Sequence, residues 1–272
     1  MVYRPDGAYN RVTTSTTGDE KMEALTRRTF TKQALGSLLT LSLLEAIFEH
    51  DAIATELRPL AKAWLADVDE ISQELRGKKI TQVQWQAQVE KLMDAADVPD
   101  LLKFLDFEKL TSNIQYKEKS ELSLRPKFPE VEGLPKELVY GTQLFALKQG
   151  QSVVPHGHMN MATAFIVCKG EFHGRHYDKL EDDETTMLIK PTIDKTFGPG
   201  GHSSISDHKD NVHWFKALSD TGFIFNIHVL NVVRRKDIRT GRVYIDPDGE
   251  KLSGDRILAK KITPQEAFAK YG

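Results

Sequence analysis

The chain has 272 residues and a formal net charge of −2. This length suits one large domain, or a smaller domain with extensions. Hydrophobic residues make up 40% and charged residues 28%, as in ordinary globular proteins. The small net charge excludes a global field that would attract nucleic acid or an anionic membrane, so no nucleic-acid partner is expected. A single cysteine, Cys168, excludes an intrachain disulfide.

Residues 1–54 are predicted to be a leader that contains an export signal. The leader opens with polar residues that lack hydrophobic periodicity, which is typical of disorder. Arg27 and Arg28 are followed by a short apolar run over residues 34–48 and by a small-x-small triplet at 52–54. A basic region, an apolar run and a small-residue cleavage site in this order form a secretory signal. The paired arginines resemble the twin-arginine class of bacterial signals.

This interpretation predicts export of the folded protein by the twin-arginine machinery, to the periplasm or the exterior. The mature chain would then begin near Thr55. The alternative is an amphipathic helix that happens to begin with two arginines, which Glu45, Glu49 and Asp51 support. In that case the protein is expected in the cytoplasm.

Residues 55–116 are predicted to be helical. Apolar residues recur at helical spacing from Leu57, and a second amphipathic run begins at Thr81. Two arrangements suit these helices, namely packing on the outside of the following domain or forming the surface of a homodimer. Residues 117–136 contain three prolines and many charges, and they are predicted to be a linker.

From residue 137 the pattern changes to short strands separated by turn residues. Many short strands at regular spacing indicate an all-β sandwich or barrel, here placed at residues 137–248. The Asp-Pro-Asp-Gly sequence at 246–249 predicts a turn between two strands. Residues 249–272 are expected to add a strand and a short helix, whose start is marked by a capping box that opens with Thr263.

A histidine pair on one predicted strand is the first candidate site. His156 and His158 are two residues apart, so on an extended strand they point to the same side. The two imidazoles converge if that side faces inward, and neutral imidazole suits Fe, Mn, Zn, Cu or Ni. His213, at the start of a later apolar strand, is the expected third ligand. His208 competes for that role, although its stretch is more polar.

The spacing of Gly150, His156, His158 and Gly170 resembles the first motif of the cupin superfamily, which has a glutamate where this chain has Thr163. The resemblance implies an all-β cupin, a double-stranded β-helix or jelly-roll barrel, preceded here by an α-helical segment. Without the glutamate, three neutral imidazoles leave a bound dication its full charge and several open positions. Such a centre favours binding of an anionic thiolate.

Residues 143–232 resemble the cupins that use three histidines, the thiol dioxygenases of the plant cysteine oxidase, cysteamine dioxygenase and cysteine dioxygenase type. The resemblance is carried by residues 145–158 and by Asn-Val-His-Trp-Phe at 211–215. It implies that the three histidines bind Fe(2+), although Mn, Ni, Zn or Cu would also suit them. It also implies dioxygen and a small-molecule thiol as the substrates.

The chain departs from that group after the third ligand. The group's aspartate falls on Asn226, and His228 shares a face with it, so Asn226 is a candidate for substrate binding and His228 for catalysis. The alternative for His228 is a hydrogen-bonded core histidine. Arg175 and Tyr177 share a face of an earlier strand. If that face is inward, Arg175 would bind a substrate carboxylate and Tyr177 would donate a hydrogen bond near the metal; if it is outward, they are surface residues.

The sequence therefore predicts a metal-dependent cupin. The first hypothesis is a non-haem iron oxygenase that oxidises a small thiol with dioxygen. The alternatives are a non-catalytic cupin that binds a metal or a small ligand, and a cupin isomerase or lyase.

Overall fold

A computed structural model describes residues 53–126 and 137–272 of the chain. Arg27, Arg28 and the apolar run that follows them lie outside these residues, so the export signal stays a prediction. None of the helices within the described ranges has the length and apolar character needed to cross a membrane.

The described chain begins with helices, continues with strands and ends with a helix. The helices are α1 (Ile53–Arg76), α2 (Gln82–Asp94), α3 (Val98–Phe104), α4 (Phe107–Thr111) and α5 (Pro264–Tyr271). The strands are β1 (Leu122–Leu124), β2 (Gly141–Lys148), β3 (Ser152–Met159), β4 (Met161–Lys169), β5 (Phe172–Asp182), β6 (Thr186–Phe197), β7 (His202–Ile205), β8 (Val212–Ala217), β9 (Thr221–Leu230), β10 (Gly241–Leu252) and β11 (Arg256–Lys261).

The strands form two antiparallel sheets. One is an open, five-stranded sheet in the order β1-β2-β9-β4-β7, and the other closes into a barrel in the order β10-β11-β6-β5-β8-β3. Consecutive strands such as β2 and β3 often belong to different sheets, as they do in a double-stranded β-helix. The fold is therefore the all-β double-stranded β-helix that the sequence predicts, with a helical segment before it.

An aromatic layer joins the two sheets. Phe165 of the open sheet meets Phe215 of the barrel edge to face, with ring centroids 4.4 Å apart. Gly174 lies where this layer is tightest, because a Cβ there would come within 2.5 Å of both Phe197 and Phe215. The close contact leaves room for glycine alone at this position of β5.

Helices α1 to α4 cover the outer face of the open sheet. Leu65 of α1 and Trp85 of α2 belong to the same buried cluster as Phe225 of β9. The helices thus pack on the outside of the following β domain, the first of the two arrangements that the sequence allows. Cys168 lies in this outer cluster too, and burial raises the pKa of its thiol to about 12. A capping box opens α5 at Thr263 as the sequence indicates, and a second one opens α2 at Thr81.

Two boundaries differ from the prediction. Residues 122–124 of the predicted linker form β1, which pairs with β2. The Asp-Pro-Asp-Gly sequence at 246–249 is not a turn; it lies inside β10, where the register against β11 shifts. Proline cannot donate a ladder hydrogen bond, so it is accommodated by an irregularity in the strand. The chain turns instead at Gly254 and Asp255, which both have positive φ.

We expect Trp85→Ala to lower the free energy of unfolding by about 3–5 kcal/mol, the range for deleting a buried aromatic ring. The ring is fully buried, and its Nε1 donates a hydrogen bond to Ser72 Oγ at 3.2 Å. Denaturant unfolding measures the change. Val83→Ala, on the exposed side of the same helix, serves as the control and should change stability by less than about 0.5 kcal/mol. Equal effects of the two substitutions would contradict the packing of α2 on the sheet.

Candidate metal centre

Three histidines from two adjacent strands meet between the sheets. His156 and His158 lie on β3 and His213 lies on β8, where it pairs with His156 in the register. The Nε2 atom of His156 is 3.3 Å from Nε2 of His158 and 2.9 Å from Nε2 of His213. Metal–nitrogen bonds of about 2.1 Å at tetrahedral or octahedral angles separate ligand nitrogens by about 3.0–3.4 Å. The spacing therefore fits one metal ion.

A β-bulge turns the histidine pair inward. Val153 faces the layer between the sheets and Val154 lies in a different cluster on the outer side. Strict alternation from Val153 would place His156 on the outer side as well. The register of β3 against β8 shifts between Val153 and His156, and this shift reverses the alternation.

Hydrogen bonding fixes the tautomer of His156. Its Nδ1 lies 2.8 Å from the carbonyl oxygen of Val154, which can only accept a hydrogen bond. The proton is therefore on Nδ1, and the lone pair of Nε2 points toward His158 and His213. A metal-binding histidine needs this arrangement, with one nitrogen free and the other oriented by a backbone or carboxylate acceptor.

The three imidazoles are held neutral. Burial is the main reason that the pKa values of His156, His158 and His213 lie well below the ordinary value for histidine. The neighbouring histidines and the positive charge of Arg242 act in the same direction. Among the described residues no carboxylate belongs to the cluster that could hold a metal. The donor set is thus three neutral nitrogens, which suits a borderline transition metal such as iron or zinc.

The open sheet contributes a fourth histidine, next to Thr163, where the resembling cupin motif has a glutamate. Thr163 of β4 and His228 of β9 are paired in the register, and Thr163 Oγ1 lies 3.1 Å from His228 Nδ1. Burial, followed by the charge of Arg242, lowers the pKa of His228 to about 3. The His228 Nε2 atom is buried without a hydrogen-bond partner among the residues described here. Thr163 therefore orients His228, whose second nitrogen stays available.

Asn226 shares the inward face with His228. It pairs with Phe165 of the aromatic layer, is buried, and donates a hydrogen bond from Nδ2 to the Ile224 carbonyl at 3.0 Å. The two candidate residues of β9 thus lie between the sheets, as the alternation predicts. Their proposed roles in substrate binding and catalysis stay predictions.

Arg175 and Tyr177 lie on the opposite side of the barrel wall. The Arg175 guanidinium stacks over the Trp214 ring at 4.9 Å, and its Nε lies 3.3 Å from Asp194. Tyr177 belongs to an apolar cluster with Met187 that does not include the metal-binding histidines. The structure therefore places neither side chain at the three histidines, and the outward alternative describes Arg175. His208 is exposed in the turn before β8 and lies outside the cluster.

His176, which is not among the predicted site residues, lies beside the three metal-binding histidines. It pairs with His213 in the register, and the two ring centroids are 6.1 Å apart. The ring stacks on Phe197 and is fully buried, which lowers its pKa to about 3. The available signal was the alternation of Phe172, Gly174 and His176, since small and apolar residues mark this side of β5 as the inner one.

Comparisons with known proteins found similar solved structures at low sequence identity. No family model and no curated protein matches the chain. Procruciferin from Brassica napus is similar over 35% of this chain and 21% of its own, with 17% identity and a TM-score of 0.29. The chain thus spans about a fifth of that protein. A cupin superfamily protein from Desulfitobacterium hafniense is similar over 44% and 87%, with 16% identity and a TM-score of 0.29. An oxalate oxidase with bound glycolate is similar over 50% and 61%, with 12% identity and a TM-score of 0.36.

Gly157→Ala should weaken metal binding about tenfold or more, the range for disturbing the support of a ligand. A Cβ at this position would lie 2.8 Å from Asn211 Oδ1, and Asn211 Nδ2 donates to the His158 carbonyl at 2.9 Å. Relief of the clash moves the strand that carries both ligands. Competition with a chromophoric chelator measures the affinity. Gly198→Ala is the control, because nothing lies within 4 Å of its Cβ position. Unchanged affinity in Gly157→Ala would contradict the proposed support.

The metal-free protein should lose stability in mild acid. The pKa of His176 falls from 6.5 to about 3 on folding, so below its ordinary pKa the unfolded chain binds a proton that the folded chain does not. Folding stability therefore declines as pH falls from about 6.5 toward 3, and His176 alone accounts for about 2 kcal/mol at about pH 5.

Denaturant unfolding at about pH 7 and pH 5 measures this loss. His176→Phe, which keeps an aromatic ring in the layer, should reduce it by about 2 kcal/mol. His208→Ala removes an exposed histidine and should leave it unchanged. The same pH dependence in His176→Phe and in the parent protein would show that His176 is not held neutral.

Proposed function

We propose that this chain is a metal-dependent cupin oxygenase that uses Fe(2+) and dioxygen to oxidise a small thiol to a sulfinate. The overall reaction is RSH + O2 → RSO2⁻ + H⁺, in which sulfur loses four electrons and dioxygen gains them. The observation that carries the proposal is the convergence of three neutral imidazoles without a carboxylate in the described cluster. The sequence resemblance around the same histidines supports the thiol as substrate.

The charge of the donor set favours an anionic substrate atom. Three imidazoles contribute no negative charge, so a dication bound to them keeps its full charge in a buried place. An uncompensated buried charge is costly, and an anionic ligand such as a thiolate removes the cost. When bound, the iron would pass electrons from the sulfur to dioxygen and would supply the positive charge that lowers the thiol pKa.

The chain's own residues then have separate tasks. His156, His158 and His213 would hold the metal with nitrogen atoms that stay unprotonated at neutral pH. The layer of Phe165, Phe197 and Phe215 keeps water out of one side of the site. His228 presents a buried nitrogen that accepts or donates a hydrogen bond, depending on its tautomer, and Thr163 orients it.

A non-catalytic cupin that binds a metal is the second candidate. The near-complete burial of the three histidines supports this candidate. His156 is 0% exposed, His158 3% and His213 4%. A binding protein needs no more access than this, whereas an oxygenase must admit a thiol and dioxygen.

Oxygen uptake by iron-reconstituted protein tests the proposal. The protein is purified anaerobically, loaded with Fe(2+), and mixed with a panel of small thiols in an oxygen electrode. We expect uptake that depends on both iron and thiol, with one sulfinate formed per dioxygen. His213→Ala should lower iron binding and uptake by at least about a hundredfold, since a ligand matters more than its support. His208→Ala is the matched control and should retain both. Tight iron binding without thiol-dependent uptake would favour the non-catalytic candidate and contradict the oxygenase.

A further inference from the structure

Four cations line a cavity at the end of β9, where the chain continues toward β10. Its volume is about 440 Å³, within the range of about 300–1,000 Å³ that is typical of sites for small organic ligands. Arg76 comes from the last turn of α1, and the loop after β9 supplies the other three cations and the rest of the lining, namely Asn231, Val233, Arg234, Arg235 and Lys236. None of the three metal-binding histidines contributes to this wall.

Asn160 holds the loop that carries the basic run. Its side chain accepts a hydrogen bond from the Val233 N–H at 2.7 Å, and it donates to the Val233 carbonyl at 3.0 Å and to Thr240 Oγ1 at 2.8 Å. The Thr240 hydroxyl donates in turn to Asn231 Oδ1 at 2.7 Å. Asn160 is buried, so water competes little for these bonds. The loop backbone is thus fixed, and its basic side chains project from defined positions.

Arg76 is satisfied only in part by the protein. Its Nη2 donates a hydrogen bond to the Leu230 carbonyl at 3.0 Å, whereas its Nε is buried without a hydrogen-bond partner among the described residues. Burial and, after it, the charge of Arg234 lower the pKa of Arg76, while Asp69 acts in the opposite direction. The two guanidiniums are therefore close enough to repel one another, and an unpaired buried donor adds to this cost.

Two carboxylates near the cavity are already engaged. Asp237 accepts two hydrogen bonds from Arg235 and offsets the charge of that cation. Asp69 lies deeper, and its two oxygens accept from the Val139 N–H at 2.8 Å and from Gln73 Nε2 at 2.7 Å. Neither carboxylate is hydrogen-bonded to the other three cations of the wall.

Three positive charges therefore remain on one wall. Arg76, Arg234 and Lys236 form no ion pair with any residue in the ranges 53–126 and 137–272. A monoanionic carboxylate would offset one of these charges. A phosphate monoester carries a charge of about −1.5 to −2 at neutral pH, and its oxygens match the forked donors of a guanidinium. The wall thus suits a phosphate dianion better than a carboxylate.

We propose that this cavity binds a small phosphorylated molecule through its phosphate monoester group. Arg76 and Arg234 would hold the phosphate oxygens with their forked donors, and Lys236 would add a third positive charge. The cavity and the metal centre share no residue, so the inference does not depend on the function proposed above.

Calorimetric titration of the full chain tests the site with two probes of similar size, glycerol 2-phosphate and glycerate. At about pH 7.5 we expect glycerol 2-phosphate to bind at least about tenfold tighter, because the dianion makes a further charge-assisted contact. Its binding should weaken several-fold at about pH 5, which is below the second pKa of a phosphate monoester, near 6. Glycerate stays a monoanion and should not show this change.

Variants of the wall locate the bound phosphate. Arg234→Gln and Lys236→Gln should each weaken binding of glycerol 2-phosphate by about tenfold or more. Both side chains are exposed, so these substitutions should leave the fold intact. Arg76→Lys keeps the charge but removes the forked donors, so it should weaken binding as well. Arg256→Gln is the matched control at the β10–β11 hairpin, where Arg256 bonds only to Ser253 among the described residues, and should have no effect.

Equal affinity for glycerol 2-phosphate and glycerate would overturn the inference, as would unchanged affinity in the double variant of Arg234→Gln and Lys236→Gln. Binding that is lost in His213→Ala but retained in Arg234→Gln would place the phosphate at the metal centre and would overturn it too. So would binding to phosphatidate vesicles without binding to glycerol 2-phosphate, since that result would assign the loop to a membrane surface. Thiol-dependent oxygen uptake, present or absent, does not bear on these results.

Discussion

A single β-bulge in β3 decides which side chains of this strand face the space between the sheets. Val153 belongs to the apolar layer between the sheets, and without the bulge after it both histidines of the strand would face the other side of the wall. The shift in register sends two polar rings into a space otherwise filled by phenylalanine, where His213 meets them from the neighbouring strand. Gly157 makes this arrangement possible, because the opposite side of the strand touches Asn211 directly.

The interior that results is polar but nearly uncharged. Five histidines lie within it or beside it, and burial keeps each of them neutral. Neutral imidazoles repel one another little, so they can approach as closely as metal coordination requires. The same neutrality means that any cation placed among them lacks compensation from the protein, and the compensation must come from what the site binds.

The fold and the three histidines of the metal centre could be predicted from the sequence. The glycine frame around His156 and His158 indicated the cupin fold, and the apolar start of β8 distinguished His213 from His208. The bulge, by contrast, depends on the pairing of β3 with β8. The local sequence of β3 therefore does not show that His156 faces inward. On β5, alternation alone does not decide whether the side of Arg175 and Tyr177 or the side of His176 faces inward. Arg76 and Leu230 are 154 residues apart in sequence, and no local pattern connects them. The proline inside β10 resembled a turn signal because a register shift in a strand tolerates the missing N–H as a loop does.

The position of Cys168 bears on the chemical stability of the protein. An enzyme that activates dioxygen beside a sulfur ligand endangers any thiol of its own that the oxidant can reach. The only cysteine of the chain sits on the far side of the open sheet, under the helices, in a cluster separate from the aromatic layer. Oxidation of sulfur proceeds through the thiolate, and the raised pKa keeps this thiol protonated. If the site activates dioxygen as proposed, the open sheet would therefore separate this thiol from the oxidant.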